Sequence, residues 1–311
     1  MDALNLSKLA KYFSDEDSAR ELLEKMRWGQ SGPVCPKCGA TEPYKLTPKA
    51  TSKRPGRQGL YKCRACRKQF TVTVGTIFED SHIPISKWLL AIHLLCASKK
   101  GMSAHQIHRM LGVTYKSAWF MMHRLRYAMT QEPLASKLSG IVEADETYIG
   151  GRKKTGKKGP NYTNKTAVVA LVERGGRVRA KGMPRVYGED VKEHILDNCE
   201  RDVRLMTDES GLYTEVGKQL ASHESVKHSI KEYVRGDCHT NTVEGFFSLL
   251  KRGIIGVYHH VGTGHVHGYV DEFAFRYDAR KMTDAERVQA AMRGVEGKRL
   301  TYKQPAGTSA S

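Results

Sequence analysis

The sequence has no long hydrophobic run. Its longest apolar stretch, "WLLAIHLLCA", spans ten residues and includes His93, and a helix of that length is too short to cross a bilayer. The first residues carry acids early and have no uninterrupted apolar core, so they do not resemble a secretory signal. These absences argue against a membrane or secreted protein, and we expect a cytoplasmic location.

Acidic residues are scarce relative to basic ones. The chain has 51 Lys and Arg against 33 Asp and Glu, which gives a formal net charge of +18. A positive field of this size raises the affinity for polyanions far more than the affinity for neutral ligands. The charge therefore indicates a nucleic-acid partner and a nucleoid-associated protein, although an unrelated basic protein has a similar balance.

No internal repeat and no long low-complexity tract interrupts the 311 residues, of which 40% are hydrophobic. A chain of this length and composition can bury a full core, and two or three domains are expected. Disorder is not the default interpretation, except for the last residues, "KQPAGTSAS", which are typical of a disordered tail.

Cysteines are too few, and too regularly paired, for a disulfide framework. Four of the seven form two CxxC pairs, Cys35 with Cys38 and Cys63 with Cys66, separated by 24 residues. Two such knuckles place four thiolates around one tetrahedral Zn²⁺ and leave no open coordination position. The pattern predicts a structural zinc ribbon. The alternatives are two unrelated pairs or a redox motif, and the other cysteines, Cys96, Cys199 and Cys238, are expected to be packing residues.

The segment from Lys45 to Lys68 contains nine basic residues and no acidic residue. A loop of this composition attached to a zinc ribbon is suited to contact several phosphates, with an affinity that falls steeply with salt. A basic loop surrounded only by solvent is the alternative.

Helical patterns surround the ribbon. Ser14 to Trp28 starts with a capping serine and an acidic first turn, and Pro84 to Ala97 is apolar at helical spacing. "SAHQIHRMLGVTYKSAWFMMHRLRYAM" then predicts a helix-turn-helix with Ser103 and Thr114 as N-caps.

The second helix of that pair carries polar and basic residues of the types that contact base edges and the DNA backbone. They are Tyr115, Lys116, Ser117, Arg124 and Arg126. A generic helical hairpin without a DNA-binding role remains the alternative.

The second half of the chain reads strand, strand, strand, helix, strand, helix, which is an α/β order. In "IVEADETYIGG" Glu143 and Asp145 share one face of a strand and Glu146 takes the other. Asp208 ends the apolar strand "DVRLMTDES". Acids on neighbouring strands, which lie about 5 Å apart, can share Mg²⁺ ions, whereas a lone Asp at a strand end is often a turn or cap residue.

The stretch "HTNTVEGFFSLLKRG" begins a helix. Asn241 is a good N-cap, and Glu244 is then the third residue of a capping box. The alternative is that Glu244, or Asn241 on the same helix face, completes a metal site.

Taken in order, several motifs resemble DDE-type insertion-sequence transposases of the ISXO2-like family, which have an N-terminal zinc ribbon. The resemblance covers roughly Leu6 to Arg280 and rests on "RWGQSGPVCPKCG", "YKCRACRKQFTVTVGTIFEDSHIPISKWLLAI", "EADETYIGG", "MTDES", "HTNTVEGFFSLLKRGIIGVYHHV" and "DEFAFRYDAR". It implies a multidomain α/β protein whose RNase H-like catalytic domain, a mixed sheet flanked by helices, follows the zinc ribbon and helix-turn-helix.

The resemblance also implies a site. Asp145 and Asp208 would be the first two ligands of catalytic Mg²⁺ or Mn²⁺. Glu244 lies 35 residues after Asp208, a common gap in DDE recombinases, and a carboxylate binds Mg²⁺ more strongly than an amide. Some branches of the family use Asn at this position, so Asn241 is the competitor, and Lys251 would contact the DNA end.

The implied activity is cleavage of DNA at terminal inverted repeats followed by strand transfer into target DNA, by a homo-oligomer. The expected divisions are an N-terminal helix and ribbon over 1–80, a helix-turn-helix region over 81–131, a catalytic domain over 138–280 and a tail over 281–311. Two other classes remain: a zinc-dependent DNA-binding regulator without catalysis, and a nuclease or resolvase on the same fold.

Overall fold

The structure of the chain is a computed structural model that describes residues 15–47, 58–130, 136–150 and 165–302. It divides into two compact units. The first contains the chain up to Met129 together with Met282–Tyr302, and the second contains Thr130–Lys281. The predicted tail "KQPAGTSAS" lies outside the described residues.

Helices and strands are numbered in chain order. Unit 1 contains α1 (Glu16–Trp28), β1 (Tyr44–Leu46), β2 (Leu60–Lys62), β3 (Gln69–Phe70), α2 (Ile85–Ala97), α3 (Ala104–Leu111) and α4 (Tyr115–Met129). Unit 2 contains β4 (Ile141–Ile149), β5 (Thr166–Glu173), β6 (Val178–Met183), α5 (Gly188–Asn198), β7 (Arg204–Thr207), α6 (Thr214–Gly217), β8 (Ser222–Ser225), α7 (Asn241–Gly253) and α8 (Val266–Asp278). α9 (Asp284–Arg293) belongs to unit 1. No helix in these described ranges is long and apolar enough to cross a membrane.

The N-terminal helices of unit 1 begin where side chains satisfy their first amides. The cap of α1 is Asp15, whose carboxylate accepts from the backbone of Ser18 at 2.8 Å, rather than the predicted Ser14, which lies outside the described residues. At α2, Pro84 has no capping side chain, and Glu16 of α1 accepts from the amides of Ile85 and Ser86 at 2.6 and 3.1 Å.

The predicted helix-turn-helix is present as α3 and α4. The side chains of Ser103 and Thr114 accept from the amides of Gln106 and Ser117 at 3.2 and 3.1 Å, so both predicted caps are confirmed. Gly112 ends α3 in the left-handed region, with φ of 57°, where a residue without Cβ is favoured.

The segment after residue 281, assigned to a tail from the sequence, contains helix α9. Thr283 and Glu286 form a capping box at its start, and α9 packs in unit 1 against α1, α2 and α4. Its buried side chains are Ala285, Val288, Ala291 and Met292. These side chains form an apolar stripe along one face of α9, and burial of that stripe stabilises its packing against the other helices.

Unit 2 is built on a five-stranded sheet with the order β6-β5-β4-β7-β8. β4, β5 and β6 are antiparallel neighbours, whereas β4, β7 and β8 run parallel. Strand β8 was not predicted from the sequence, since "SHES" has no apolar alternation. The result is the mixed sheet flanked by helices that the family resemblance implied.

Each face of this sheet has its own core. Val168, Ala170 and Val172 of β5 pack on one face with side chains of α7 and α8. Val169 and Leu171 pack on the other with residues of α5. A Cβ at Gly253, the last residue of α7, would overlap the ring of Phe273 in α8, so the glycine permits the two helices to approach closely.

Candidate active site and zinc site

The four cysteines of the two CxxC pairs converge on one point in unit 1. Their Sγ atoms all lie within 4.8 Å of one another, and the pairs Cys35–Cys66 and Cys38–Cys63 are each 3.7 Å apart. Zn–S bonds of about 2.3 Å in a tetrahedron require sulfurs about 3.8 Å apart. The set therefore fits one structural Zn²⁺, as the sequence predicted.

The surroundings shift the thiol pKa values in both directions. The amide of Cys66 donates to the Sγ of Cys63 at 3.4 Å and is the main cause that lowers the pKa of Cys63 to about 7. The pKa of Cys38 is raised to about 11 despite the amide of Ala40, because hydrogen bonds with the neighbouring thiols disfavour its thiolate. The three-stranded sheet and the aromatic rings of Trp28, Tyr61 and Phe70 pack beside the cysteines. Cys96, Cys199 and Cys238 are buried away from the set, as expected of packing residues.

The predicted DNA-contacting residues of α4 separate into two groups. Tyr115 and Lys116 are exposed and Ser117 is partly exposed, so all three are accessible from solvent. Arg124 and Arg126 are only 6% and 2% exposed, so these two side chains are not accessible to DNA as the sequence predicted.

The physical reason is clearest for Arg124. Its guanidinium donates to the backbone carbonyls of Ile77 and Glu79 at 2.7 and 2.9 Å and to that of Leu300 at 3.2 Å. Arg124 thus joins α4 to two loops of unit 1. The local sequence gave no sign of this role, because the accepting carbonyls are distant in the chain. Residues 48–57 of the basic loop lie outside the described residues.

Three predicted acids of unit 2 line one cavity of about 740 Å³. The register pairs Glu143 of β4 with Met206 of β7 in parallel, so Asp145 and Asp208, each two residues further along, reach the same end of the sheet. Helix α7 brings Glu244 to the cavity, with Lys251 two turns later on the same face. The structure therefore brings together the residues that the resemblance implied.

Asn241 does not cap α7 as predicted. It is the first helical residue, it is exposed, and it lies outside the set of side chains that line the cavity. The N-cap is Thr240, which has no capping side-chain bond. Its hydroxyl instead donates to Glu244 at 3.3 Å, so the predicted capping box is wrong.

The first amides of α7 are satisfied by Glu143, which is fully buried. One carboxylate oxygen accepts from the amides of Thr242 and Val243 at 2.6 and 3.0 Å. The other accepts from the Thr242 hydroxyl at 2.7 Å and from Arg174 at 2.6 Å. A helix N-terminus favours negative charge, so Glu143 fixes α7 to the strand that carries Asp145.

Asp145 has a different environment on the same strand. Its pKa is raised to about 7, mainly by burial and also by the carboxylates of Asp208, Glu146 and Glu244, while the amide of Glu146, which donates at 2.7 Å, opposes the rise. A carboxylate surrounded by other carboxylates is costly to ionise unless a cation joins the group.

Two further cavity residues were not identified from the sequence. Glu146 points to the opposite sheet face, as predicted, and accepts from the buried Tyr213 hydroxyl at 2.6 Å, yet it also lines the cavity. His228 reaches the cavity from the loop after β8. The place of both residues in the cavity cannot be recognised from the sequence, because the cavity forms only when the chain folds.

The donor set fits Mg²⁺, which prefers charged oxygen ligands. Among the described residues, the four cysteines are the group whose ligand atoms all lie within 4.8 Å of one another. Asp145, Asp208 and Glu244 line one cavity, and they are the residues that would hold divalent ions there.

Two models of transposase domains match this chain. Residues 137–278 match the ISXO2-like transposase domain, and residues 14–69 match the transposase zinc-ribbon domain. An uncharacterized protein in transposable element ISH50 of Halobacterium salinarum is 28% identical over 258 residues, which are 78% of this chain and 84% of that protein. A solved structure, the Mos1 transposase paired-end complex with left transposon end, is 13% identical. The match covers 70% of this chain and 75% of the Mos1 chain, with a TM-score of 0.29.

Proposed function

The chain belongs to the ISXO2-like transposase family, and from that premise we propose that it binds the terminal inverted repeats of an insertion sequence and catalyses Mg²⁺-dependent DNA cleavage and strand transfer. The observation that carries the proposal is the raised pKa of Asp145 in a cavity that also contains Asp208 and Glu244. A partly buried carboxylate that shares a cavity with two others is suited to divalent cations.

Asp145, Asp208 and Glu244 are assigned to hold the metal. Bound Mg²⁺ supplies Lewis acidity to the phosphodiester and charge stabilisation to the entering and leaving oxygens. Lys251 and Arg252 line the same cavity, and their positive charges are suited to hold the phosphates that flank the scissile bond. Water attacks the phosphodiester at the element's end and releases a 3′-hydroxyl, which then attacks target DNA.

Unit 1 is assigned to DNA recognition. Its zinc ribbon presents a basic surface, and α4 exposes Tyr115 and Lys116 next to Ser117 at its N-terminal end, where helix-turn-helix proteins contact bases. Because two element ends must be joined to one target, we assign the active form to a homo-oligomer on DNA.

A matched pair of assays tests the function. The full chain is incubated with a donor end and a target plasmid, with and without Mg²⁺, beside an Asp208→Asn variant. Wild type should cleave and join the donor only with Mg²⁺, and Asp208→Asn should bind the same DNA and do neither. Binding without either reaction would favour a regulator, and cleavage without joining would favour a nuclease. Cleavage by Asp208→Asn at the wild-type rate would refute the assigned site.

A further inference from the structure

The loop between β8 and α7 is held in a defined conformation beside the acid cavity. We name residues 227–235 the rim loop. Its turn is closed by backbone bonds from Lys231 to His228 and from Glu232 to Lys227, both of 3.0 Å. Its base is fixed by Arg235, which donates to the carbonyl of Ser225 at 2.9 Å. These bonds define the conformation of the loop.

The rim loop is also hydrogen-bonded to the segment that follows β7. The amide and the hydroxyl of Ser229 both donate to the carboxylate of Glu209, at 3.0 and 2.7 Å. Glu209 directly follows Asp208 in the chain, and His228 of the loop lines the acid cavity itself. The loop thus borders the place where the scissile phosphate is proposed to bind.

The side chains that this ordered loop exposes are apolar. Ile230 is 69% exposed, Tyr233 is 58% exposed and Val234 is 53% exposed. Isoleucine and valine are among the residues most often fully buried in proteins. Three exposed apolar side chains within five residues of one loop indicate a surface that binds a ligand. On the wall of the cavity, Ile255 adds a fourth, at 70%.

The charge of the rim loop favours DNA as the covering ligand over a second protein surface. It contains the basic residues Lys227, Lys231 and Arg235 against one acid, Glu232, which pairs with Arg235 at 3.7 Å, and the adjoining cavity wall carries Lys251 and Arg252 beside its four acids. Basic side chains account for binding to phosphates, but they do not explain why apolar side chains are exposed beside them. Apolar and aromatic groups contact the faces of bases, which are accessible only where the bases are unpaired.

Resting on the proposed function, we propose that the rim loop holds unpaired nucleotides of the DNA strand that enters the acid cavity, with Tyr233 as stacking platform and Ile230 and Val234 beside it. The preferred substrate is consequently a DNA end whose terminal bases are separated. Because the loop contacts base faces and not base edges, it tolerates any sequence.

Binding is tested with the zinc-loaded full chain in Mg²⁺-free buffer, with a fluorescein-labelled oligothymidylate as probe and a duplex of equal length for comparison. Tyr233→Ala should weaken binding to the single strand at least about fivefold and should leave the slope of log affinity against log salt unchanged, since stacking releases no counterions. Tyr233→Phe keeps the ring and should bind as wild type does. Tyr187→Ala removes a tyrosine of unit 2 that is 55% exposed, and it should have no effect.

Equal single-strand affinity of wild type and Tyr233→Ala overturns the proposal, as does a loss that Tyr233→Phe reproduces. A change in oligomeric state by size exclusion, with DNA affinity intact, would assign the patch to a second copy instead and also overturns it.

A cleavage assay separates this proposal from the function on which it rests. With Mg²⁺ and subsaturating donor, Tyr233→Ala should cleave both a paired donor end and a donor with mismatched terminal bases more slowly than wild type, because the ring is lost in either case. Tyr233→Phe should cleave both as wild type does. If wild type cleaves neither donor, the proposed function fails, whereas the single-strand affinities still decide the role of the rim loop. Wild-type rates for Tyr233→Ala on both donors would overturn the role in holding unpaired bases.

Discussion

At the scale of single residues, Glu143 and Asp145 show how one strand face supports two different carboxylates. Both lie on β4, two residues apart, and both face α7. Glu143 is fully buried but accepts from two helix amides, a hydroxyl and the guanidinium of Arg174. Asp145 accepts from a neighbouring amide and otherwise meets acids. The first is structural, and the second is left with a charge for which the fold supplies no equivalent compensation.

The pKa of Asp145 predicts an unusual dependence of stability on pH. Its folded value of about 7 exceeds the ordinary 3.8, so ionisation costs folding free energy that grows as pH rises from about 4 and is complete above about 7. Asp145→Asn should therefore unfold at a higher temperature than wild type at pH 8 without Mg²⁺. The difference in free energy of unfolding between Asp145→Asn and wild type should shrink by about 1–2 kcal/mol from pH 8 to pH 5, allowing for the partial exposure of Asp145.

The measurement is thermal unfolding across pH in Mg²⁺-free buffer without chelator, so that zinc is retained. Asp202→Asn, an exposed acid of the same unit, is the control and should follow wild type at every pH. A constant offset between Asp145→Asn and wild type would contradict the assigned pKa.

The choice between Glu244 and Asn241 is also made at this scale. Glu244 lines the acid cavity, whereas Asn241 is exposed outside it. Glu244→Gln should lower Mg²⁺-dependent end cleavage by on the order of 100-fold, the size typical of losing one electrostatic contact to a transition state. Asn241→Ala should cleave at nearly the wild-type rate. The reverse order of the two variants would reassign the third ligand to Asn241.

At the scale of elements, two helices of this chain start on a carboxylate from elsewhere. Glu16 satisfies the first amides of α2, and Glu143 satisfies those of α7. In both helices the residue at the N-cap makes no side-chain capping bond. The position of each helix is therefore set by a partner element, which for α7 is the strand that carries Asp145.

Removing the Glu143 charge should loosen the start of α7. A hydrogen bond to a charged group contributes about 1.5–3 kcal/mol, so Glu143→Gln should speed hydrogen exchange at the amides of Thr242 and Val243 by roughly tenfold or more. Glu224→Gln breaks an ion pair with Arg204 that is largely open to solvent, so it should leave these amides unchanged. Exchange at wild-type rates in Glu143→Gln would show that α7 is positioned by its apolar contacts alone.

At the scale of the whole molecule, the two units differ in what stabilises their folds. The four thiols of unit 1 form a closed set that fits one Zn²⁺, and such a site contributes directly to folding. Unit 2 has a large apolar core on both faces of its sheet. Its sheet does not depend on a metal for packing.

Zinc removal should consequently affect one unit and spare the other. The purified chain should contain one zinc, and the double variant Cys63→Ser, Cys66→Ser should contain none. Hydrogen exchange should then increase over β1 to β3, while β4 and β5 keep their protection. Cys238→Ala, which removes a buried cysteine outside the set, should retain the zinc. Loss of protection throughout the sheet of unit 2 would contradict the division into independent units.

Much of this protein is determined by local sequence. The CxxC spacing defines the zinc set because four sulfurs must surround one ion. Apolar runs bounded by turn residues locate β4, β5 and β7, and side-chain caps at Ser103 and Thr114 start α3 and α4, because these signals act over a few residues. Asp208 directly follows the apolar strand β7, as the sequence indicates, whereas Asp145 lies in the middle of β4 and reaches Asp208 through the pairing of these strands.

Tertiary structure decided what depends on distant partners. Asn241 has the sequence of an N-cap, yet a buried glutamate from β4 took that role, because a charge inside the fold requires compensation more strongly than an exposed helix start does. Arg124 has the sequence of a DNA contact, but backbone carbonyls from two loops surround it. The cavity position of His228, the strand β8 and the exposed apolar side chains of the rim loop have no local signature, since only the folded chain brings their neighbours together.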